Sequence, residues 1–171
     1  MKIKTLKDTV FVEILKEHRV NTSFFLFEKF AWFRAKVIDA NGIALSKGDI
    51  IRYQPTKSKK SIFTYDDKKC QVVHKDLIFC TESLEGDVLY IFGDYVYLTK
   101  LDEHKKLGSI YLPMLRNADT FNVKVLGCGN AVTGVEVGDT CICPSGGYRE
   151  VWDGNKFCFY TLSQNLLGTL K

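Results

Sequence analysis

The sequence predicts an all-β fold made of two tandem small β-barrels, and two observations lead to it. When the chain is shifted by 86 residues, segment 8–26 aligns without a gap on segment 94–112, and seven of the nineteen aligned pairs are identical. Composition alone would give about one identity. Short runs of Val, Ile, Phe and Tyr separated by turn residues fill both halves of the chain. A self-similar period of this length indicates two copies of one structural unit.

Both copies predict the same succession of strands, because β-branched and aromatic residues recur in the same order. In copy 1 the predicted strands are 9–15, 35–38, 50–51 and 70–73. In copy 2 they are 95–101, 122–126, 140–141 and 157–161. A Gly-Asp pair marks the turn before the third strand of each copy, and a short segment closes each copy at 74–78 or 163–168.

The domain boundaries follow from the repeat. We place domain 1 at 1–80, a linker at 81–86 (Thr-Glu-Ser-Leu-Glu-Gly) and domain 2 at 87–171. A linker this short favours two neighbouring domains over a long flexible tether.

The net charge of +4 is shared unevenly between the copies. Residues 1–86 carry 16 Lys and Arg against 11 Asp and Glu, which gives +5, and residues 87–171 carry 8 against 9, which gives −1. Most of the excess surrounds one loop, in Lys57, Lys59, Lys60, Lys68 and Lys69. A nucleic-acid surface favours aromatic residues interleaved on a basic face, whereas Asp66 and Asp67 interrupt this run. We therefore predict a solvated loop and no nucleic-acid partner.

Neither a membrane segment nor a metal site is predicted. No run of 18 apolar residues exists, and the N-terminus lacks the apolar stretch of a signal peptide, so we expect a cytoplasmic protein without a membrane partner. The six cysteines are typical of reduced thiols, five of them in apolar runs that indicate core positions. The alternative is a zinc site among Cys128, Cys141, Cys143 and Cys158. No Cys-x-x-Cys pair supports it, so we expect no metal and no cofactor.

A segment of about twenty residues separates the first two strands of each copy, and long loops in compact domains are usually functional. In copy 2 a charged start and a polar end flank Ile110, Tyr111 and Leu112, which follow Gly108 and Ser109. An apolar tripeptide in such a setting is typical of a docking element that becomes buried in a partner's groove. The alternative is that Ile110 and Leu112 fold back onto their own barrel.

Copy 1 has an apolar segment at the same place: Phe24, Phe25 and Leu26 occupy the tripeptide positions. Phe30, Trp32 and Phe33 follow at once, so this loop is much more apolar than its counterpart. A bare surface of this kind would be a liability. We expect it to pack onto its barrel or onto a neighbouring subunit.

Taken together, these motifs resemble the GroES-type co-chaperonins, the small partners of the GroEL-type chaperonins. The resemblance covers nearly all of copy 2, in the opening strand 93–98, the mobile loop Gly108-Ser109-Ile110-Tyr111-Leu112-Pro113, the strand and turn 123–129, the turn 135–139, the roof loop 146–151 and the closing Leu166-Leu167-Gly168. Copy 1 keeps Asp8-Thr9-Val10 and Gly48-Asp49. It departs from the pattern at Thr22, where copy 2 has Gly108, and is the more diverged copy.

The resemblance implies two GroES-like β-barrels, a homo-oligomeric ring and a GroEL-type chaperonin as partner. Its chaperonin-binding residues would be Gly108, Ser109, Ile110, Tyr111 and Leu112 in copy 2, with Phe24, Phe25 and Leu26 in copy 1. Rings of this family contain seven barrels, a number that two-barrel chains cannot supply in whole units. Because co-chaperonins also occur in bacteriophages, a phage origin, with action in the host cytoplasm, is a hypothesis.

Two other functions compete with this one. The first is a structural or assembly protein of a phage virion that reuses the fold. The second is an enzyme, because medium-chain alcohol dehydrogenases contain the same barrel type. The sequence has no Gly-x-Gly-x-x-Gly after a strand, and no nucleophile is arranged with His18 or His104, while His74 has no evident partner. We therefore expect no catalytic residues and no enzymatic activity.

Overall fold

The computed structural model describes residues 5–18, 32–54, 62–101, 105–107, 110–112, 120–144, 148–153 and 156–170. They form β-strands and short 3-10 helices, which confirms the predicted all-β class. The chain divides into two compact units, unit 1 at Met1–Phe92 and unit 2 at Gly93–Lys171. Within the described ranges, no helix is long and apolar enough to cross a membrane.

Unit 1 is one seven-stranded antiparallel sheet with the order β4-β5-β1-β2-β3-β6-β7. Its strands are β1 (Thr9–His18), β2 (Trp32–Asn41), β3 (Ile50–Tyr53), β4 (Ile62–Tyr65), β5 (Lys68–His74), β6 (Ile78–Glu82) and β7 (Val88–Ile91). A 3-10 helix at Lys75–Leu77 joins β5 to β6.

Unit 2 is a six-stranded antiparallel sheet with the order β13-β14-β8-β11-β12-β15, together with a two-stranded ribbon formed by β9 and β10. Its strands are β8 (Tyr95–Lys100), β9 (Lys105–Leu107), β10 (Ile110–Leu112), β11 (Thr120–Cys128), β12 (Thr140–Pro144), β13 (Arg149–Asp153), β14 (Lys156–Leu162) and β15 (Gly168–Leu170).

Alternating apolar residues build one core in each unit, because successive strand residues point to opposite faces. In unit 1 the core includes Val10 and Val12 of β1 with Ala35 and Val37 of β2. In unit 2 the same places hold Val96 and Leu98 of β8 with Val123 and Val125 of β11. Burial of such side chains is the main favourable term for a fold without long helices.

The sheet of unit 1 is strongly rolled. β5 and β6 lie four strand spacings apart, which is about 19 Å across a flat sheet. The chain from His74 to Ile78 spans at most about 14 Å even when extended. Val73 and Ile78, one from each strand, indeed share one core cluster. The sheet is therefore barrel-like, while its strand pairing stays open between β4 and β7 among the described residues.

The two units have the same strand order. Each strand in the order β13-β14-β8-β11-β12-β15 of unit 2 has the place of its counterpart in the order β4-β5-β1-β2-β3-β6 of unit 1. Both even carry a β-bulge at the same place. The register of β1 with β2 skips Ile38, and that of β8 with β11 skips Leu126. Bulges are specific features of a fold, so the shared bulge adds to the agreement between the two strand orders.

The division between the units lies C-terminal to the linker predicted at 81–86. Thr81 and Glu82 belong to β6, and Ser83 and Gly86 lie in the turn that leads to β7, where the Gly86 N–H donates to the Ser83 carbonyl at 3.2 Å. Strand β7 lies in domain 2 by the sequence repeat, yet it pairs with β6 of unit 1. Gly86 therefore lies inside unit 1. Its φ of +105°, which glycine adopts without strain, allows the turn between β6 and β7.

Candidate partner-docking site

The segment between β8 and β11 contains a β-ribbon at the predicted docking loop. In this ribbon Ile110 pairs with Leu107, Tyr111 with Lys106 and Leu112 with Lys105. Positions 110 and 112 therefore share one face, and position 111 lies on the other. In the described part of the chain, β9 and β10 pair only with each other. The ribbon is thus separate from the sheet of unit 2.

The predicted docking residues are only partly described. Ile110, Tyr111 and Leu112 are the three residues of β10. Gly108 and Ser109, between the two strands, lie outside the described residues, as do Phe24, Phe25 and Leu26 of copy 1. The sequence reasoning found the tripeptide but missed its partner strand. A Gly-Ser pair with an apolar residue on each side is typical of the turn of a hairpin, and it would have predicted the partner strand.

The base of this segment, where β8 and β11 pair, belongs to the sheet. Lys100, the last residue of β8, pairs with Val123 of β11. One residue further on, the Leu101 N–H donates to the Asn122 carbonyl at 3.1 Å. The Lys100 ammonium lies 5.4 Å from the ring centroid of Phe121, within cation–π range. The segment that carries the tripeptide therefore leaves the sheet from a defined place.

Three aromatic rings support this base. Phe121 contacts Tyr148 and Phe159 edge to face, with centroids 5.6 Å apart in both pairs, and Tyr148 lies 5.0 Å from Phe159. Such pairs contribute roughly 0.5–1.5 kcal/mol each beyond their buried area. Because Phe159 is fully buried in the core, the rings connect the start of β11 to the interior of unit 2.

The corresponding region of unit 1 is built differently. β1 and β2 extend until His18 pairs with Trp32, so the sheet continues past the point where β8 ends. Trp32 and Phe33 are buried, at 6% and 3% exposure. For these two residues, the expectation that the aromatic segment of copy 1 packs onto its own barrel is confirmed. Phe30 lies outside the described residues.

The cysteines of unit 2 are core residues. Cys141 and Cys143 are fully buried within its apolar cluster, and Cys128 packs against it. Burial raises the pKa of all three thiols, that of Cys143 to about 11. Zinc binds the thiolate, which burial disfavours here. Among the described residues, no three metal-ligating side chains are grouped to hold an ion.

Part of the basic excess of copy 1 is compensated locally. Lys68 Nζ lies 2.9 Å from Glu13, and Lys69 Nζ lies 3.5 Å from Glu17. Lys57, Lys59 and Lys60 lie outside the described residues. A cavity of about 510 Å³ near this ion pair is lined by residues of both charge signs, namely Glu13, Asp66, Lys36, Lys47 and Lys68, with Tyr65. This mixture selects no ligand class.

His74 has a structural partner that the sequence reasoning missed. It precedes the 3-10 helix Lys75–Leu77, and its Nδ1 accepts the Asp76 N–H at 3.4 Å. A side chain that accepts from the first turn of a helix is a cap. The histidine therefore helps to shape the connection between β5 and β6.

No protein-family model matches the sequence, and no curated protein matches it at a significant level.

Proposed function

We propose that the protein is a co-chaperonin, in which a homo-oligomer of this chain caps a GroEL-type chaperonin and assists protein folding. One observation carries the proposal: an apolar tripeptide, Ile110–Leu112, lies on a ribbon that pairs with no sheet strand among the described residues, in the segment between Lys100 of β8 and Phe121 of β11. Two antiparallel sheets with one strand order, and the resemblance of the copy 2 motifs, support it.

The ribbon suits a releasable contact. An isolated two-stranded ribbon is marginally stable in water at best, and this one has three residue pairs. A partner that buries the face at positions 110 and 112 therefore stabilises the ribbon, but part of the binding energy is offset by the entropy of ordering it. Each contact is weak, and several loops on one oligomer restore a firm grip. A lid that must leave in every cycle needs this balance.

In this proposal the two copies have different tasks. Unit 2 binds the chaperonin through Gly108, Ser109, Ile110, Tyr111 and Leu112. Unit 1 serves assembly, and Trp32 and Phe33 of its aromatic segment are buried and therefore do not dock into a chaperonin groove. Phe24, Phe25 and Leu26 are the residues through which unit 1 would add a second contact. We further propose that the protein acts in the cytoplasm, that of the host if a phage encodes it.

The test is a triple substitution in β10. Replacing Ile110, Tyr111 and Leu112 with Ser removes the apolar face, so binding to a GroEL-type chaperonin should be lost while the far-ultraviolet circular dichroism of the sheets is kept. The matched control replaces Leu6, Leu84 and Val137 with Ser, at 79%, 80% and 67% exposure. It removes three exposed apolar side chains elsewhere and should bind normally.

Retained binding by the β10 triple variant would disprove the assignment of the site. A wild-type protein that binds no chaperonin but co-purifies with phage particles would instead establish the virion structural protein. A third variant, with Ser at Phe24, Phe25 and Leu26, separates the two copies. Full chaperonin binding by that variant would leave unit 2 as the gripping unit.

A further inference from the structure

The ribbon of β9 and β10 has two faces of different chemistry. In order from the connecting residues 108–109, its pairs are Leu107 with Ile110, Lys106 with Tyr111 and Lys105 with Leu112. Directly opposed residues of an antiparallel pair lie on the same face, and successive residues alternate between faces. The first and third pairs therefore share one face, which we term the docking face, and the middle pair lies on the other.

The docking face is apolar over most of its length. Leu107, Ile110 and Leu112 are aliphatic, and Lys105 completes the face at the end away from the connection. The other face has one lysine and one tyrosine. β9 thus contributes an aliphatic residue to the docking face, although the segment from which this strand comes begins with charged residues. The apolar surface is not confined to the tripeptide.

Leu107 also distinguishes copy 2 from copy 1. The 86-residue shift places Leu107 on Asn21 and Lys106 on Val20. Residues 20 and 21 lie outside the described residues, so the comparison is one of sequence. Copy 1 has a polar residue at the position where copy 2 has leucine. This difference coincides with the proposed division of tasks, in which unit 2 is the gripping unit.

The docking face is two strands wide. Opposed residues such as Leu107 and Ile110 have Cβ atoms about 4.5–5.5 Å apart. Ile110 and Leu112 are two residues apart along β10, a distance of about 6.5–7 Å. A single extended strand would present its alternate side chains in one row. A groove that accepts this face must therefore be wide enough for both strands of a hairpin.

We propose that Leu107 is a third aliphatic docking residue, which enters the same apolar groove of the chaperonin as Ile110 and Leu112. The inference rests on the proposed function and specifies its partner, because the groove must accommodate both strands of the ribbon. Burial of an aliphatic side chain on binding is favourable. The register also ranks the residues: Tyr111, on the other face, contributes less to binding than Leu107.

An isosteric pair of substitutions in the full chain tests the contact. Valine and threonine have the same shape and both favour strands, but threonine brings a hydroxyl that an apolar groove leaves without a partner. Leu107→Val should bind a GroEL-type chaperonin within about fivefold of the wild type, because it loses one methylene group. Leu107→Thr should bind at least about tenfold more weakly than Leu107→Val. Titration calorimetry measures both affinities.

Position 106 supplies the matched control, because it is next to Leu107 in β9 but lies on the other face. Lys106→Val and Lys106→Thr should bind equally. Thiol protection separates a contact from a role in the stability of the ribbon. Bound chaperonin should prevent alkylation of the new thiol in Leu107→Cys and should not prevent it in Lys106→Cys. Mass spectrometry of peptides distinguishes these thiols from the six native cysteines.

Equal binding by Leu107→Val and Leu107→Thr overturns the inference, as does equal alkylation of the two new thiols in the complex. A threonine penalty of the same size at position 106 would overturn it as well. These outcomes leave the proposed function intact as long as the β10 triple variant has lost binding. A wild-type protein that binds no GroEL-type chaperonin would instead overturn the proposed function, and this inference with it.

Discussion

At the residue scale, the two units have different side chains at one pair of equivalent core positions. In unit 1 the Tyr53 hydroxyl donates to Gln71 Oε1 at 2.7 Å in a buried pair. Burial raises the pKa of Tyr53, so the hydroxyl keeps the proton that it donates. Unit 2 has Cys143 and Phe159 at the equivalent strand positions, both buried. The sequence did not pair Tyr53 with Gln71, because only the rolled sheet brings β3 near β5.

A second difference is the charged cluster in unit 1. Buried Glu82 forms ion pairs with Arg52 and with Arg34, the latter at 3.0 Å between Oε2 and Nε. The Arg52 guanidinium lies 4.6 Å from the ring centroid of Trp32. Among the described residues, Nε and Nη1 of Arg52 have no hydrogen-bond partner. Glu82 therefore compensates two cations, one of which has little access to water.

We expect Glu82→Leu to destabilise unit 1 by about 3–5 kcal/mol, because removing one partner leaves buried charge uncompensated. Urea unfolding measures the change. The control is the triple variant Arg34→Asn, Arg52→Ile, Glu82→Leu, which installs the residues that unit 2 has at these positions and should lose much less. Equal losses in the two variants would show that packing of the Glu82 side chain, and not its charge, matters.

At the scale of elements, composition predicted most strands that line the cores, but it missed β6, part of which was assigned to the linker, and it missed the strands at the edges. The first strand was predicted at 9–15 and extends to His18. The short edge strands β4 and β7 were missed because exposed residues such as Phe63 and Leu89 break the buried pattern. At the candidate site, the repeat revealed the tripeptide, but the pairing of β9 with β10 was not predicted, because β9 lies in the charged start of the segment.

The Gly-Asp turns were predicted and have the same geometry in both units. Gly48 and Gly138 have φ values of +100° and +98°. The carboxylates of Asp49 and Asp139 accept a backbone N–H from three residues earlier, at 2.8 and 2.9 Å. An aspartate that closes its own turn explains why the pair recurs.

We expect Gly48→Ala and Gly138→Ala each to lower the free energy of unfolding by about 1–3 kcal/mol, because a side chain at this φ is strained. Nothing lies within 4 Å of either added Cβ, so the cost comes from the backbone alone. Gly168→Ala, with equally open space and no positive φ, is the control and should stay near the wild type in urea unfolding. No loss at Gly48 or Gly138 would contradict this account.

At the scale of the molecule, repeat and structural unit do not coincide. Phe92 N donates to the Phe79 carbonyl in unit 1, whereas Gly93 accepts the Ala131 N–H in unit 2. The boundary predicted from the sequence rests on internal similarity alone. The structure places it by hydrogen bonding, which depends on the neighbour that covers β6.

A fragment that ends at Phe92 should therefore be more stable than one that ends at Gly86. The longer fragment keeps β7 and buries Ile91, and burial of one such side chain contributes about 1.5–3 kcal/mol. Urea midpoints of fragments 1–92 and 1–86, followed by circular dichroism, measure the difference. Equal midpoints would mean that β7 does not stabilise unit 1.

The pairing of β7 with β6 also sets the order of events during synthesis. Domains fold as units while the chain emerges from the ribosome. The sheet of unit 1 cannot be completed when its own repeat has been translated, because its last strand is encoded at the start of the next one. The sheet of unit 1 therefore lacks one strand until Ile91 has emerged. We expect residues 88–91 to pair with β6 before the rest of unit 2 has emerged and can fold.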